Sequence, residues 1–373
     1  MPAQGACCAL SYREKIVVVG GGVIGLSVAW RLAGEYDVTL LDPAPAAGAS
    51  WVAGGMLAPV TESWPGEEDL LDLGSASLDL WPEFASALEV DLRTEGTIAV
   101  AFDAADAGQQ DVLAEHLASR GRAVERLTGR QLRVVEPAIG PSVRSGLMVP
   151  GDLAVDNREL LRRLVIVCRD AGVVFDERRA RTVEAGLVRL DGDDAIRCDT
   201  TVIAAGAWSS ALHPALEGLV RPVKGEILRL RARPGALALR HTVRGLVESR
   251  PVYLVPRAGD ELVLGATQYE AGFDDEVTVG GVRDLLADAE RVLPGIAEYG
   301  LTECAAGLRA GSRDNLPLLG RLEPGVLVAA GHHRNGLLLA PITADAVRAM
   351  VDGEEPPATT LAADPARHVP TKR

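Results

Sequence analysis

Apolar positions near the start of the chain follow strand spacing, then helical spacing, and then strand spacing again. A β-branched run covers residues 16–19, apolar residues recur at roughly helical spacing up to Leu32, and a second apolar run covers residues 38–41. Glycine fills most of the segment at 20–25, between the first run and the helical pattern. The pattern predicts a β-α-β unit that opens with a glycine-rich turn.

Two later apolar runs also end in glycine, as buried parallel strands do when they lead into a turn. The run at residues 202–204 leads to Gly206, and the run at residues 326–330 leads to Gly331. The parallel strands of the sheet are therefore predicted to come from widely separated parts of the chain.

The segment between these runs has a different pattern. Short alternating runs from about residue 221 to 266 are joined by tight turns and predict antiparallel strands. A helix is predicted at residues 68–90, with a break near Pro82. The predicted fold class is mixed α/β and α+β, with a Rossmann-like dinucleotide-binding domain and an antiparallel-sheet domain.

The first glycine-rich turn matches the template G-x-G-x-x-G, with Val23 and Ile24 between its last two glycines. Gly20 permits a tight turn, Gly22 lets the backbone approach a pyrophosphate, and Gly25 lets the helix pack close to the strand. The helix N-terminus offers free N–H groups and a positive dipole end to phosphates. Because the motif lies between a strand and a helix, it predicts a dinucleotide site.

Asp42 ends the second apolar run and follows the motif at the distance where an acid accepts hydrogen bonds from both ribose hydroxyls. A carboxylate at this place disfavours a 2′-phosphate, so FAD or NAD is favoured over NADP. The two later strands lead into turns at Gly206 and Gly331, which we call the glycine exits. These exits favour FAD, since an extended and buried dinucleotide contacts several strand ends.

A loop of mostly small residues extends from residue 43 to 59. Long irregular loops inside a compact fold are usually functional, and small side chains let the backbone approach a flat ligand. We therefore predict cofactor contacts from Ala49, Ser50, Gly54, Gly55 and Met56.

The glycine exits at Gly206 and Gly331 are predicted to border the cofactor as well. The helix after the second exit points its N-terminus at the strand ends, and this dipole suits the pyrimidine edge of a reduced flavin. The predicted contacts in this turn are His332, His333, Arg334, Asn335, Gly336 and Leu337. The two histidines are adjacent, so their side chains diverge, and no third ligand is apparent. No metal site is predicted.

The composition argues against several classes of binding partner and indicates the cellular compartment. The chain has 373 residues and a net charge of -14 without a concentrated basic face, which argues against nucleic acid and anionic membranes. Its five cysteines form no disulfide or zinc pattern and fit a reducing cytosol. Residues 1–13 lack the features of a signal peptide, and the apolar run at 16–30 is too short to span a bilayer. A cytoplasmic protein is expected.

From about residue 15 to 351 the chain resembles the glycine oxidase (ThiO) branch of the D-amino acid oxidase/sarcosine oxidase family of flavoproteins. The segments that carry the resemblance, in chain order, are VVVGGGVIGLSVAWRLA, AGGML, PVKGE, YLVPR, LGAT, AGLR and AAGHHRNG. The resemblance implies a discontinuous FAD-binding domain at 13–75, 145–215 and 305–360. It implies a substrate domain at 76–144 and 216–304, with tails at 1–12 and 361–373.

The same resemblance implies roles for individual residues. Arg309 matches the arginine that pairs with the substrate carboxylate, and Tyr253 matches the tyrosine that hydrogen-bonds the same group. Arg334 is a second charge beside the flavin, and the Val183 backbone meets the adenine. Lys224 is typical of the family without an assigned role. Gln268 stands where an apolar pocket wall is expected, which leaves the size of the substrate open.

The implied reaction is the oxidation of glycine, or of another small amine or D-amino acid, by noncovalent FAD. The imine hydrolyses to glyoxylate or supplies thiamine thiazole synthesis, and O2 is reduced to H2O2. Covalent flavin is disfavoured because no cysteine follows Cys304. A homo-oligomer, either a tetramer or a dimer, is implied. The alternatives are a sarcosine, D-proline or other D-amino acid oxidase or dehydrogenase, an NAD-dependent enzyme, and a non-catalytic flavin-binding subunit.

Overall fold

Two large β-sheets organise residues 13–368, the part of the chain that this computed structural model describes. The first is six-stranded, with the order β19-β20-β13-β1-β2-β9, and it is parallel except for β19. Its strands are β1 (Lys15–Val19), β2 (Asp37–Leu41), β9 (Val174–Asp176), β13 (Thr200–Ile203), β19 (Leu318–Glu323) and β20 (Val326–Ala330). As the repeated glycine exits predicted, distant segments of the chain supply its parallel strands.

Helices and a small sheet cover the two faces of this six-stranded sheet. Four helices pack their apolar residues into one core with alternate residues of β1 and β2. They are α1 (Val23–Leu32), α3 (Glu68–Ala87), α6 (Asn157–Asp170) and α8 (Ala340–Asp352). The opposite face packs on a three-stranded sheet of β10 (Ala180–Glu184), β11 (Leu187–Leu190) and β12 (Ala195–Arg197). Both faces are buried, which explains the continuous apolar runs in these strands.

The second large sheet has eight strands in the order β18-β14-β17-β16-β15-β5-β7-β6, and only the β15–β5 pair is parallel. These strands are β5 (Thr97–Ala101), β6 (Glu125–Thr128), β7 (Ser145–Val149), β14 (Arg221–Arg231), β15 (Thr242–Val247), β16 (Arg250–Pro256), β17 (Glu261–Gly265) and β18 (Gly300–Gly311). The observed architecture confirms the predicted fold class, a Rossmann-like sheet together with an antiparallel sheet.

Short elements complete the described chain. Helix α2 (Gly48–Val52) lies in the predicted cofactor loop, and α4 (Ala104–Ser119), α5 (Gly129–Val135) and α7 (Val279–Val292) accompany the eight-stranded sheet. A small sheet joins β3 (Met56–Leu57), β8 (Leu153–Val155) and β4 (Leu92–Arg93). The 3₁₀ turns are Gly206–Ala211, Pro214–Leu216, Pro294–Glu298, His333–Asn335, Ala358–Ala363 and Pro365–His368. Within residues 13–368, no helix has both the length and the apolar character needed to cross a membrane.

The predicted break near Pro82 is wrong, because α3 continues through this proline. Tertiary contacts hold the helix on both sides of it. The Ser77 hydroxyl and the Trp81 indole N–H both donate to the Leu338 carbonyl oxygen, at 2.6 and 2.9 Å. Trp81 and Phe84 are buried in the core and stack edge to face. This packing offsets the cost of one lost backbone hydrogen bond.

The pairing of two strands bears on the expected domain boundaries. Strand β7 pairs with β5 and β6, and β18 pairs with β14 over its whole length, so both belong to the eight-stranded sheet. We therefore propose that the second and third FAD-binding segments begin near residues 150 and 312, rather than at 145 and 305.

The sequence also predicted terminal tails. Residues 1–12 and 369–373 lie outside the described part of the chain. Residues 361–368 form 3₁₀ turns, Ala363 is fully buried, and Arg367 pairs with Asp314 at 2.8 Å. This part of the predicted tail packs on the body of the molecule, because its apolar side chains and Arg367 find partners there.

Candidate active site

The turn between β1 and α1 has the close backbone approaches that its glycines predicted. Gly20 has a φ of +112° and donates its N–H to the Leu41 carbonyl oxygen at 2.9 Å. A Cβ atom placed on Gly25 would lie 1.8 Å from the Gly20 carbonyl oxygen, so only glycine fits there. Gly22 precedes α1 and has no side chain that could cap it, so the first turn of the helix can face an anionic ligand.

Asp42, which follows β2, stabilises this turn through two hydrogen bonds. Its Oδ2 accepts the Gly21 N–H at 2.6 Å, and its Oδ1 accepts the Ala44 N–H at 2.7 Å. A carboxylate has about four lone-pair sites, so these two bonds leave acceptors for ribose hydroxyls. Ser50 adds a second brace, because its hydroxyl oxygen accepts the Val23 N–H at 3.0 Å.

A cleft of about 1280 Å³ extends from this turn along the ends of the parallel strands. We call it the cofactor cleft. The predicted residues that line it are Gly20, Gly22, Val23, Ile24, Asp42, Ala49, Ser50, Gly206, Gly331, His332, His333 and Gly336. Sequence reasoning missed Arg179, Ala180, Trp208 and Leu308, which also line it. The first two follow β9 and carry no local motif, whereas Trp208 lies two residues after a predicted glycine exit.

Eight residues predicted to contact the cofactor do not line the cofactor cleft. Five of them line the adjoining cavity described next: Gly54, Gly55, Met56, Arg334 and Leu337. The other three line neither cavity. Gly25 supports the packing of α1 on β1. The Val183 N–H donates to the Leu212 carbonyl oxygen at 2.8 Å and its side chain lies in the core, while Ala180 on the same strand borders the cleft. Asn335 borders a separate small cavity, and its backbone N–H donates to the His332 carbonyl oxygen at 2.9 Å.

A second cavity, of about 770 Å³, adjoins the cofactor cleft and shares several wall residues with it. We call it the substrate pocket. All three predicted catalytic residues, Arg309, Tyr253 and Arg334, line it. Its other walls come from Gly54, Gly55, Met56 and Leu337, from apolar Val52 and Ile227, and from Glu62 and His333. The fold therefore brings together residues that are far apart in the sequence.

Arg309 presents a cation without a carboxylate partner. Its Nη1 donates to the Thr267 carbonyl oxygen at 3.2 Å and approaches the Lys224 carbonyl oxygen at 3.5 Å. No acidic side chain among residues 13–368 lies within ion-pair distance of it. The guanidinium lies over Gly225, where a Cβ atom would come within 2.0 Å of Nη1. Its planar fork is thus held in place and still free to bind a carboxylate.

Tyr253 lies beside this arginine on β16. A Cβ atom on Gly265 would come within 2.3 Å of the Tyr253 hydroxyl oxygen, so the glycine makes room for the phenol. Burial raises the pKa of Tyr253 above its usual value, and Arg309 offsets only part of this rise. The phenol therefore stays protonated near neutral pH and can donate a hydrogen bond.

Arg334, unlike Arg309, has two acidic partners. Its Nη2 lies 3.1 Å from Glu67, and its Nε lies 3.8 Å from Glu62. The same Glu62 lies 3.4 Å from Arg244. The charge of Arg334 is therefore compensated inside the protein. Sequence reasoning missed Glu62, because nothing in its local sequence distinguishes it from other loop acids.

Two histidines line the cofactor cleft, and the second of them also lines the substrate pocket. Burial lowers the pKa of both His332 and His333 to about 3, so both rings are neutral at neutral pH. His332 Nε2 lies 3.1 Å from the Thr343 hydroxyl. His333 lines both cavities, and neither of its ring nitrogens has a hydrogen-bond partner in the described chain. A buried imidazole without partners fits a site in which a polar ligand group completes its hydrogen bonds.

The structure shows the positions of two residues whose roles the sequence did not determine. Gln268 is exposed and does not line the substrate pocket, so the expectation that it forms a pocket wall is wrong. It follows β17 in an exposed stretch, and Met56, Val52 and Ile227 supply the apolar walls instead. Lys224 is buried and pairs with Asp274 at 2.8 Å. This pair fastens the loop after β17 next to Arg309.

The cofactor cleft has the parts that FAD requires. The open helix N-terminus at Gly22 suits the pyrophosphate, Asp42 suits the ribose, and the neutral, unpartnered His333 suits the polar edge of the ring system. Over residues 13–368, no group of three or more His, Cys, Asp or Glu side chains is placed to hold a metal ion.

Comparison with known proteins agrees with this geometry. The family model described as FAD dependent oxidoreductase (DAO) matches residues 15–350. A glycine oxidase of Geobacillus kaustophilus is 32% identical, over 93% of this chain and 95% of its own length. A bifunctional ThiO/ThiG protein of Trichormus variabilis is 33% identical over 89% of this chain, and the match spans only 51% of that longer protein.

The structural comparison points the same way. The crystal structure of glycine oxidase from Geobacillus kaustophilus matches with a TM-score of 0.87 and 30% identity, over 96% of this chain and 100% of that chain. These matches confirm the resemblance read from the sequence motifs. The chain belongs to the DAO family of FAD-dependent oxidoreductases.

Proposed function

We propose that this protein is a glycine oxidase that uses noncovalent FAD. The observation that carries the proposal is the unpaired Arg309 cation beside Tyr253, in a pocket that adjoins the cofactor cleft. The names of the relatives at about one-third identity over nearly the whole chain support glycine as the substrate. FAD, when bound, supplies the acceptor for a hydride and passes the electrons to O2.

The protein's own residues bind and orient the substrate. Arg309 binds both oxygens of the α-carboxylate, and the protonated Tyr253 phenol donates a further hydrogen bond to it. With the carboxylate held at this end, the Cα–H bond of a short amino acid faces the adjoining cleft. Holding the reacting atoms in one orientation removes much of the entropic barrier, so no strong protein acid or base is required.

The overall reaction is balanced by water and oxygen. Glycine, O2 and H2O give glyoxylate, NH3 and H2O2, because the imine formed by loss of two electrons and two protons hydrolyses in water. Apolar Met56, Ile227 and Leu337 line the substrate pocket, and the relatives named glycine oxidase favour glycine over amino acids with large side chains. No cysteine lines the cofactor cleft or the substrate pocket within residues 13–368, which supports a noncovalent FAD.

The biological setting is part of the proposal. One relative carries the name putative thiamine biosynthesis oxidoreductase, at 33% identity over 89% of this chain, and the bifunctional relatives are about twice as long as the matched region. We infer that the imine product supplies the glycine-derived part of thiamine thiazole. We also infer a cytoplasmic homo-oligomer, a dimer or a tetramer, which chromatography with light scattering would test.

An anaerobic titration tests the proposed function. The purified holoprotein should lose its flavin absorbance when glycine is added and recover it with release of H2O2 when air is admitted. Sarcosine, D-proline and D-alanine should reduce the flavin less efficiently. A yellow protein that glycine does not bleach would contradict the proposed substrate. Reoxidation only by artificial electron acceptors would contradict the oxidase assignment and indicate a dehydrogenase.

A further inference from the structure

The substrate pocket has a second charged feature that carboxylate binding does not use. Glycine at neutral pH is a zwitterion, so a pocket that selects it must accept an ammonium group as well as a carboxylate. Among the described residues that line the substrate pocket, Glu62 is the only acid. Its side chain is 11% exposed, and it comes from the loop that follows β3.

The backbone around Glu62 is held in place by the same residues that surround its carboxylate. The Glu62 N–H donates to the Ala58 carbonyl oxygen at 3.1 Å, and its own carbonyl oxygen accepts from Arg334 Nη2 at 3.2 Å. Arg244 Nη1 donates to the Thr61 carbonyl oxygen at 2.7 Å. The position of Glu62 in the pocket wall is therefore fixed before a substrate binds.

The carboxylate of Glu62 still has acceptor capacity. Its distances to Arg244 and Arg334 are 3.4 and 3.8 Å, longer than the roughly 2.7–2.9 Å of charge-assisted hydrogen bonds. No donor in residues 13–368 forms a hydrogen bond to its side-chain oxygens. The two arginines balance its charge, but its lone pairs remain available, and an ammonium group supplies three donors.

We propose that Glu62 binds the amino group of the substrate and so selects amino acids over carboxylic acids of similar size that lack an amine. The inference rests on the proposed function, since it assigns the second end of the same substrate. Arg309 and Glu62 then hold the two charged groups of glycine, and the Cα between them takes a fixed orientation towards the cofactor cleft. Acetate would satisfy Arg309 and leave Glu62 without a donor, and a hydroxy acid would supply a single neutral donor in place of the charged ammonium group.

The competing interpretation is that Glu62 only holds Arg334 in place. Glu67 provides the matched control, because it is the closer partner of Arg334, at 3.1 Å, and does not line the substrate pocket. Glu62→Gln and Glu67→Gln each remove one acid from the same arginine. Only the first removes a carboxylate from the pocket wall.

The experiment compares ligands that have one or both charged groups. The KM for glycine and the Kd for acetate, the latter from the flavin difference spectrum, are measured on FAD-loaded wild type, Glu62→Gln, Glu62→Asp and Glu67→Gln. We expect Glu62→Gln to raise the KM for glycine by roughly ten- to a hundredfold, the loss typical of one charged hydrogen bond. The Kd for acetate should change by less than about twofold. Glu67→Gln should leave the ratio of these two constants unchanged, and Glu62→Asp should restore part of the selectivity.

The outcomes separate the two proposals. Equal weakening of glycine and acetate in Glu62→Gln, or the same change of ratio in Glu67→Gln, would overturn the role of Glu62 in amine binding. Unchanged constants in Glu62→Gln would overturn it too. If any of these results is obtained while glycine bleaches the flavin of the wild-type protein, the proposed function stands and only the role of Glu62 is excluded. Wild type that binds acetate but is not reduced by glycine would overturn both.

Discussion

The guanidinium of Arg309 occupies the space that a side chain at position 225 would need. The two residues lie on neighbouring antiparallel strands, β18 and β14, and a Cβ atom on Gly225 would come within 2.0 Å of Arg309 Nη1. The orientation of Arg309, which we propose binds the substrate carboxylate, therefore depends on the absence of a side chain on the neighbouring strand.

Gly225→Ala should consequently displace Arg309 and leave the cofactor cleft intact. We expect kcat/KM for glycine to fall about a hundredfold, the loss that a misplacement of about 1 Å can cause, while the bound FAD stays near one per chain. Gly280→Ala is the control, since nothing lies within 4 Å of that position at the start of α7. Normal kinetics in Gly225→Ala would show that Arg309 does not need this space.

Arg309→Lys keeps the positive charge and removes the planar fork. A lysine ammonium is a point charge that cannot form the same two parallel hydrogen bonds, so binding of the carboxylate should weaken by roughly ten- to a hundredfold. The measurement is the KM for glycine together with the Kd for acetate, and both should rise by the same factor. Arg162→Lys, on the exposed side of α6, should change neither. An unchanged Kd for acetate would exclude Arg309 as the carboxylate site.

Asp42→Ala should weaken FAD binding through two effects. It removes the acceptor for ribose hydroxyls, and it frees the Gly21 and Ala44 N–H groups that brace the glycine turn. We expect the Kd for FAD, measured by fluorescence titration of the apoprotein, to rise at least about tenfold. Asp37→Ala, an exposed acid at the start of the same strand, should leave it unchanged. Full flavin retention in Asp42→Ala would contradict the ribose role.

Asp152 should make the free energy of unfolding depend on pH. Burial raises the pKa of Asp152 to about 7, although Thr61 and Arg244 favour its charged form. An acid whose pKa is higher in the folded state than in the unfolded state stabilises the fold below about pH 4, and this contribution is lost as pH rises to about 7. The slope can reach roughly 1.4 kcal/mol per pH unit in this window.

Asp152→Asn should therefore flatten this dependence. Urea unfolding at pH 5 and at pH 7.5 should show a smaller loss of stability with rising pH in Asp152→Asn than in wild type. Asp193→Asn, at an exposed turn, should behave like wild type. The same pH dependence in Asp152→Asn and wild type would mean that Asp152 is ionised in the folded protein at both pH values.

His332 and His333 should not shape the pH profile of turnover. Because burial holds the pKa of each near 3, both rings stay neutral from pH 5 to 9. If the plot of log kcat/KM for glycine against pH changes slope near pH 6.5, we expect the same change in His333→Gln. Such a change, present in wild type and absent in the variant, would show that His333 titrates in the working range.

Local patterns were enough to predict the elements that line the cofactor cleft. The turn at Gly20, the acid at Asp42 and the exits at Gly206 and Gly331 depend on backbone rules that act over a few residues. The same rules failed at Pro82, where the local cost of a proline in a helix was offset by contacts of Ser77 and Trp81 with Leu338. Those contacts join residues 261 and 257 positions apart, so a local pattern could not reveal them.

The substrate pocket shows more clearly what local sequence patterns cannot predict. Arg309 and Tyr253 were identified by resemblance to a family, because an arginine or tyrosine in a strand carries no local mark of its role. Whether a charged residue is free or paired depends on which residues the fold places beside it. Arg309 remains without an acidic partner in the described chain, whereas Arg334 contacts Glu62, which lies 272 positions away in the sequence.

Local sequence patterns therefore identified the fold class, the dinucleotide turn and the cofactor, since hydrophobic spacing and glycine geometry depend on residues that are close in the sequence. Only the tertiary structure decided which charges are compensated, that Gln268 lies outside the pocket and that Glu62 lies inside it. Electrostatic pairing and the shape of a pocket depend on distances between elements. Those distances exist only after the two sheets have packed.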